Sequence, residues 1–285
     1  MNKHTPVLHN KVINELKDNS IKKIIDATAG QGGYLKNILA DPTKKVLAID
    51  IDPNQIKRLK EQFDKQIKNK QLILKNGNFA YLDRYAKQHN FIPAQAVIFD
   101  LGLSWDQMIS FKKGFSYKQK DDPLDMRFNT RFKYTAADLI NNLSENELLD
   151  ILMSFGEEPL AYDLAKEIIR TRSKKSIKTV SDLNQIIEKI SLTGNESVFR
   201  RVYQALRIAV NNEYINLKQG LNSAYKVLDK NGKILCLTFN PTEDRIVKRF
   251  IKEKNLQNKT ITNKKARANF EKIATLRVIL KTYDK

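Results

Sequence analysis

The chain has 285 residues, of which 41% are hydrophobic and 29% charged, enough apolar material for a sizeable core and too much for a wholly disordered chain. One cysteine (Cys236) and three histidines exclude an internal disulfide and make a Cys/His metal cage a poor expectation, so no metal is expected. The excess of 51 Lys+Arg over 32 Asp+Glu, a net charge of +19, favours a polyanionic partner, although frequent Lys, Asn and Ile also fit an AT-rich genome.

In chain order, the first hundred residues alternate short apolar runs with amphipathic segments. Strands are expected at Ile21–Asp26, Val46–Asp50, Leu72–Leu74 and Ala96–Phe99. After the second, Asp52-Pro53-Asn54-Gln55 opens a helix, with Asp52 as cap, Pro53 at the first position and Gln55 bonding back. Strands alternating with helices imply a parallel sheet with right-handed crossovers. From about 109 to 205 the pattern is helical. Ser144-Glu145-Asn146-Glu147 is a capping box, followed by Leu148, Ile151, Leu152 and Phe155 at helical spacing, with Gly156 as the stop. Thr179 and Asp182 open another helix, whose apolar stripe is Leu183, Ile186, Ile187 and Ile190. Strand character returns at Lys233–Phe239, after the turn Asn231-Gly232, and at Lys259–Thr262 and Leu276–Tyr283, with a basic helix over Ile246–Lys254. The expected organisation is a core over 1–108 and 206–285, interrupted by a helical insertion over 109–205. No apolar run is long enough to span a bilayer, and the first residues lack the apolar stretch of a signal peptide, so a soluble cytoplasmic protein without membrane contact is expected.

Ligands of open α/β sheets sit beyond the carboxyl ends of the strands. Asp26-Ala27-Thr28-Ala29-Gly30-Gln31-Gly32-Gly33 is such an end, and glycines there let a ligand approach the backbone. The dinucleotide fingerprint fails, because Leu35 stands where the third glycine belongs, which disfavours a nicotinamide oxidoreductase. An acid four residues before the first glycine suits a ligand with an ammonium, such as S-adenosylmethionine. Asp50, ending the second strand, is placed to accept ribose hydroxyls, and Phe79, after the third, to stack on adenine. Asp100 ends the fourth strand, where an acceptor can align a nucleobase amine for in-line attack on a sulfonium methyl and help its proton leave; capping or cofactor orientation is the equal alternative. Trp105 lines a base pocket or covers the core.

The segments His4-Thr5-Pro6-Val7-Leu8, Asp26 to Tyr34, Asp100-Leu101-Gly102-Leu103-Ser104 and Gly114-Phe115-Ser116-Tyr117 resemble the RsmH (MraW) family. So do Pro123-Leu124-Asp125-Met126-Arg127, Gly156-Glu157-Glu158, Gln204-Ala205-Leu206-Arg207-Ile208 and Glu243-Asp244-Arg245-Ile246-Val247-Lys248. The motifs keep family order from residue 4 to about 250. The resemblance implies a class I (Rossmann-like) methyltransferase core with an inserted all-helical domain. It implies S-adenosylmethionine-dependent methylation of the N4 amine of a cytidine in the decoding region of small-subunit (16S) ribosomal RNA, within the 30S subunit, with a homodimer left open. With Asp26 and Gly30 read from the loop itself, it puts Gly32, Gly33, Tyr34, Asp50, Phe79, Asp100 and Gln107 around the cofactor, and makes the insertion an RNA-facing surface with Lys112, Lys113 and Arg127 near the cleft. Arg207 and Arg245 either contact phosphate or pair internally, and Asp125-Met126-Arg127 is alternatively a structural junction.

The sequence departs from the family at four places. Tyr34 replaces the usual His, although Tyr also occurs there. Ser104-Trp105-Asp106-Gln107 replaces Ser-Ser-Pro-Gln. Asn240-Pro241 removes a His-Ser pair, and Ala268-Asn269-Phe270-Glu271-Lys272 replaces an Arg-rich segment. A degenerate paralogue that binds cofactor or ribosomal RNA without efficient transfer is therefore one rival. A DNA amino-methyltransferase is another, disfavoured because Leu101-Gly102-Leu103 is not the Pro-Pro-aromatic usual there.

Overall fold

In a computed structural model, residues 6–102, 112–191, 195–262 and 272–281 are described. The chain divides into two compact units, Met1–Gly102 with Tyr214–Lys285, and Leu103–Glu213.

The first unit carries α1 (His9–Glu15), β1 (Lys23–Asp26), α2 (Leu35–Ile38), β2 (Lys45–Asp50), α3 (Pro53–Gln62), α4 (Asp64–Lys68), β3 (Leu72–Asn76), α5 (Leu82–Gln88) and β4 (Ala94–Asp100). The second unit contributes α6 (Ala136–Asn142), α7 (Glu145–Gly156), α8 (Ala161–Arg172), α9 (Val180–Ser191) and α10 (Glu196–Asn211). The first unit then resumes with α11 (Glu213–Val227), β5 (Leu228–Thr238), α12 (Pro241–Glu253), β6 (Gln257–Thr262) and β7 (Thr275–Leu280).

The strands form one sheet in the order β3-β2-β1-β4-β5-β7-β6. The first five are mutually parallel, and β7 runs antiparallel between β5 and β6. Near-continuous apolar strands are what a sheet covered on both faces requires. Ile25, Leu47, Ile49, Val97 and Phe99 point to one face, under Leu82 and Ala86 of α5, Leu217 and Leu221 of α11 and Val247 of α12. Ile24, Val46, Ala48, Ala96 and Ile98 point to the other, under Val12, Leu35, Ile38 and Leu59. The strand order reverses between β1 and β4, which makes their carboxyl ends the switch point where ligands of such sheets bind. This is a Rossmann-like, doubly wound sheet with an antiparallel strand inserted next to one edge.

Two local expectations are corrected. Strand β5 starts at Leu228, before the expected turn at Asn231-Gly232, because its pairing with β4 slips between Ala94 and Ala96, and Asn231 (φ 63°) absorbs the extra residues as an irregularity within the strand. At α3, Asp52 caps as expected, accepting from the Asn54 N–H at 2.9 Å, and Pro53 holds the first position. Gln55 does not bond back; its Oε1 is buried without a hydrogen-bond partner.

The second unit shows no strand among its described residues, only an isolated bridge between Pro123 and Thr179. Three of its helices start on reciprocal side-chain locks: Ser144 with Glu147 at α7 and Thr179 with Asp182 at α9, both as expected, and Thr135 with Asp138 at α6. Gly156 does not supply the left-handed residue that ends α7; Glu157 does, at φ 49°. The glycine serves packing instead, since a Cβ there would lie 2.8 Å from the Arg201 carbonyl oxygen and 3.2 Å from the Ala205 Cβ, both on α10. Gly156→Ala therefore gains about 1 kcal/mol of helix propensity but overpacks a backbone contact at about 1–3 kcal/mol. The expected outcome is net destabilisation, read by denaturant unfolding of the full chain under far-UV circular dichroism; an alanine variant as stable as the parent contradicts this account of the glycine.

Candidate active site

Three neighbouring parallel strands each end in an aspartate: Asp50 on β2, Asp26 on β1 and Asp100 on β4. Asp26 is in register with Ala48 and Ile98. Asp50 and Asp100 lie two residues further along, so all three side chains share one face of the sheet.

Asp26 is fully buried. Its Oδ1 accepts from the Thr28 N–H at 3.2 Å, whereas its Oδ2 has no hydrogen-bond partner. Burial, with the charges of Asp100 and Asp50 behind it, pushes this carboxyl up to about 7. Asp50 uses both oxygens on the chain itself, Oδ2 accepting from the Gly30 N–H at 2.7 Å and Oδ1 from the Asp52 N–H at 2.8 Å; burial still raises it to about 6. Asp50 thus ties down the loop after β1, a role its sequence position did not reveal. Asp100 is also raised to about 6 by burial, while the Tyr34 hydroxyl, donating to its Oδ2 at 3.0 Å, pulls the other way. Its backbone N–H donates to the Thr28 hydroxyl at 2.7 Å.

The glycine loop lies beside these carboxylates. Leu35, in the place of the third fingerprint glycine, is fully buried and anchors α2 in the core. Gly32 donates its N–H to the Ala29 carbonyl at 2.8 Å, closing the turn. A Cβ on Gly33 would collide with the Pro6 ring, so the close approach this glycine permits is that of the N-terminal segment. The Gly33 carbonyl accepts from His9 Nε2 at 3.2 Å.

Phe79 opens a short 3₁₀ turn, and its ring meets Phe99 edge-on, 5.5 Å between centroids at 82°. A Cβ on Gly220 of α11 would sit 2.6 Å from that ring. Phe79 is thus partly committed to the core rather than standing clear as a stacking platform. Gln107 and Trp105 lie outside the described residues.

Of the cationic residues expected to face RNA, Arg127 and Arg207 are held internally. Arg127 donates Nε and Nη2 to Asp125 at 2.7 and 2.9 Å and Nη1 to the Phe132 carbonyl at 2.8 Å. Arg207 grips Glu213 through Nε at 2.8 Å and Nη2 at 3.2 Å. Lys113 donates to the Arg127 carbonyl at 3.1 Å. Leu124 and Met126 are buried in the helical core, so Pro123–Arg127 is a structural element of that unit. Lys112 is exposed, as is Arg245, whose Nη2 donates to the Thr242 hydroxyl at 2.6 Å. Asn240 caps α12 by accepting from the Glu243 N–H at 2.8 Å, and Glu243 accepts from the Phe239 N–H at 2.7 Å.

An anionic cluster with an unpartnered buried carboxylate oxygen fits a ligand carrying positive charge and hydrogen-bond donors. It also sets a pH dependence. Unfolded, these carboxyls ionise near 3.8; folded, they hold their protons to about 6 or 7. The folded state therefore binds more protons across that interval, and ligand-free stability falls as pH rises from about 4 to about 7. Asp182, held below its ordinary value, contributes its stability fully above pH 4 and stays constant there. The ligand-free melting temperature is expected to be higher at pH 5 than at pH 7.5, and Asp26→Asn to remove much of the difference; a parent curve flat or rising over that interval contradicts the cluster.

Comparison with known proteins gives the family. The family model described as the MraW methylase family matches residues 1–282. A relative named ribosomal RNA small subunit methyltransferase H from Coprothermobacter proteolyticus is 36% identical over 275 residues, covering 95% of this chain and 90% of its own. The protein of that name from Thermomicrobium roseum is 36% identical over 253 residues (87% and 77%), and that from Dictyoglomus thermophilum 34% over 272 (95% and 91%). A match over residues 1–282, joined by relatives this similar across most of their own length, makes the chain a member of the MraW methylase family.

Proposed function

We propose that this protein transfers a methyl group from S-adenosylmethionine to the N4 amine of a cytidine in the decoding region of small-subunit ribosomal RNA. The observation that carries the reading is the row of three carboxylates at the switch point of the sheet, Asp26 fully buried and Asp50 and Asp100 partly so. When bound, S-adenosylmethionine supplies a methyl on a positively charged sulfur, which passes to the amine nitrogen as the S–C electron pair returns to sulfur. Asp26, with its unpartnered oxygen, receives the ammonium of the amino-acid end. Asp50 keeps lone pairs for the ribose hydroxyls beyond those used on Gly30 and Asp52. The loop from Gly30 to Tyr34 backs the amino-acid end.

Asp100 does the work on the substrate side. A cytosine amine is a poor nucleophile because its lone pair is delocalised into the ring. Asp100 Oδ1, which accepts no hydrogen bond from the described residues, takes one N–H of that amine and turns the lone pair toward the methyl carbon. The amine sheds one proton as the N–C bond forms. A carboxyl titrating at about 6 is ionised at neutral pH and basic enough to receive it and pass it to solvent.

The relatives' shared name supports small-subunit ribosomal RNA as the substrate, and the resemblance of the motifs supports the cytidine N4 amine. A base inside a helix does not reach a partly buried carboxylate at a strand end, so the target is splayed out or presented by the RNA fold. The helical unit and the exposed cations of α12 (Arg245, Lys248, Arg249, Lys252) hold the backbone. Phosphate contact by Lys112 and Arg245 fits this reading, whereas Arg127 and Arg207 act by shaping the helical unit. The rival of a non-catalytic paralogue draws on Asn240-Pro241, which cap and open a helix where the family carries His-Ser.

Mass mapping of ribosomal RNA nucleosides in a deletion strain is expected to show one N4-methylcytidine lost and regained on complementation; an unchanged map sinks the substrate assignment. In a tritiated-methyl assay Asp100→Ala is expected to lose transfer by about 10²–10⁴-fold, the usual worth of a positioned proton acceptor, with RNA affinity changed less than about threefold. Parent-like transfer by that variant removes Asp100 from the mechanism.

A further inference from the structure

The Tyr34 side chain has a more specific place than proximity to the cofactor. The residue is 3% exposed, and its hydroxyl donates to Asp100 Oδ2 at 3.0 Å. His9 of α1 lies flat on the tyrosine ring, 5.6 Å between centroids at 3°, and its Nε2 donates to the Gly33 carbonyl at 3.2 Å. Pro6 fills the space beside Gly33. The ring is therefore fixed by the N-terminal segment on one side and by the buried turn into α2 on the other. Asp100 is held at two points, its N–H by the Thr28 hydroxyl and its Oδ2 by Tyr34, and both partners come from the loop after β1.

We propose that Tyr34 is a positioning residue for methyl transfer: its hydroxyl pins one oxygen of Asp100, so that the other faces the target amine, and His9 braces the ring that does so. This rests on the reading of Asp100 given above. The tyrosine donates and never gives up its proton, since burial and the charge of Asp100 both raise its pKa well above the usual phenol value. Among the described residues, the titratable groups whose charges couple with Asp100 are Tyr34, Asp26 and Cys236; of these, Tyr34 is its hydrogen-bond donor.

Tyr34→Phe deletes the hydroxyl and keeps the ring. Its kcat is expected to fall about 10- to 100-fold, the equivalent of one hydrogen bond to a charged group. Affinity for S-adenosylhomocysteine, by calorimetry, is expected to stay within about threefold. The acidic limb of the kcat–pH profile moves to higher pH, because a donor that favours the ionised carboxyl is gone. An unchanged kcat with an unmoved limb overturns the proposal; so does a loss of S-adenosylhomocysteine affinity as large as the loss in kcat, which makes Tyr34 a cofactor ligand. A readout on the parent chain needs neither turnover nor a stable variant. With 13C-labelled tyrosine, the Tyr34 Cζ resonance is expected to shift as Asp100 titrates near pH 6, and Asp100→Asn to abolish that shift. A Tyr34 resonance flat between pH 5 and 7.5 overturns the bond. Absence of transfer in the parent enzyme instead overturns the functional reading, and the resonance still reports on the Tyr34–Asp100 contact.

Discussion

Everything at the sheet's carboxyl edge follows from placing three carboxylates on the same face of three adjacent strands. Each loses solvent on folding, which pushes protons onto it, and at Asp26 the charges of Asp100 and Asp50 push the same way. The chain answers with short-range donors. The Gly30 and Asp52 N–H groups hold Asp50, the Thr28 N–H holds one oxygen of Asp26, and the Tyr34 hydroxyl holds Asp100. What remains is an oxygen of Asp26 with no partner and one of Asp100 with none among the described residues. A site in that condition selects for positive charge and N–H donors. It discriminates against anionic ligands of similar size, so a dinucleotide pyrophosphate is a poor occupant.

The glycine loop reads differently once its neighbours are known. Its glycines suggest a ligand brought close to the backbone, yet at Gly33 the structure brings Pro6 close. The N-terminal segment is thereby a structural part of the site. Pro6, His9, Gly33, Tyr34 and Asp100 form a run of contacts from the chain's start to the end of β4. The family resemblance at His4–Leu8 gains a physical reason at Pro6, which packs against Gly33 in the loop that bonds Asp100.

The helical unit shows how a basic chain spends its charge. Arg127 and Arg207 each bind a carboxylate with two nitrogens, and Arg201 pairs with the buried Glu158 at 2.7 Å. Partly buried pairs of this kind set local geometry, and losing one partner is costly because the other stays desolvated. Arginines that look like phosphate ligands in sequence are therefore framework here. In the proposed function, contact with RNA falls to exposed cations, whose individual positions matter less than their sum.

The alternation of strands and helices, the caps at Asp52, Ser144 and Thr179 and the three acids at strand ends were legible in the chain itself. Each is a local signal: a period of two, a side-chain oxygen three residues from a free N–H, an acid where an apolar run stops. Gly156 as a packing contact, Phe79 turned edge-on to Phe99, Pro6 over Gly33 and Tyr34 bonded to Asp100 were not legible. In each of these the partner lies 20 or more residues away; Arg127 instead meets Asp125 two residues back, a pairing that its rotamer decides. Residue type along the chain thus determined which groups could perform chemistry and roughly where the backbone would present them. Only the tertiary structure decided which of those groups are consumed by one another, because a hydrogen bond or a packed ring depends on distances that sequence separation does not encode.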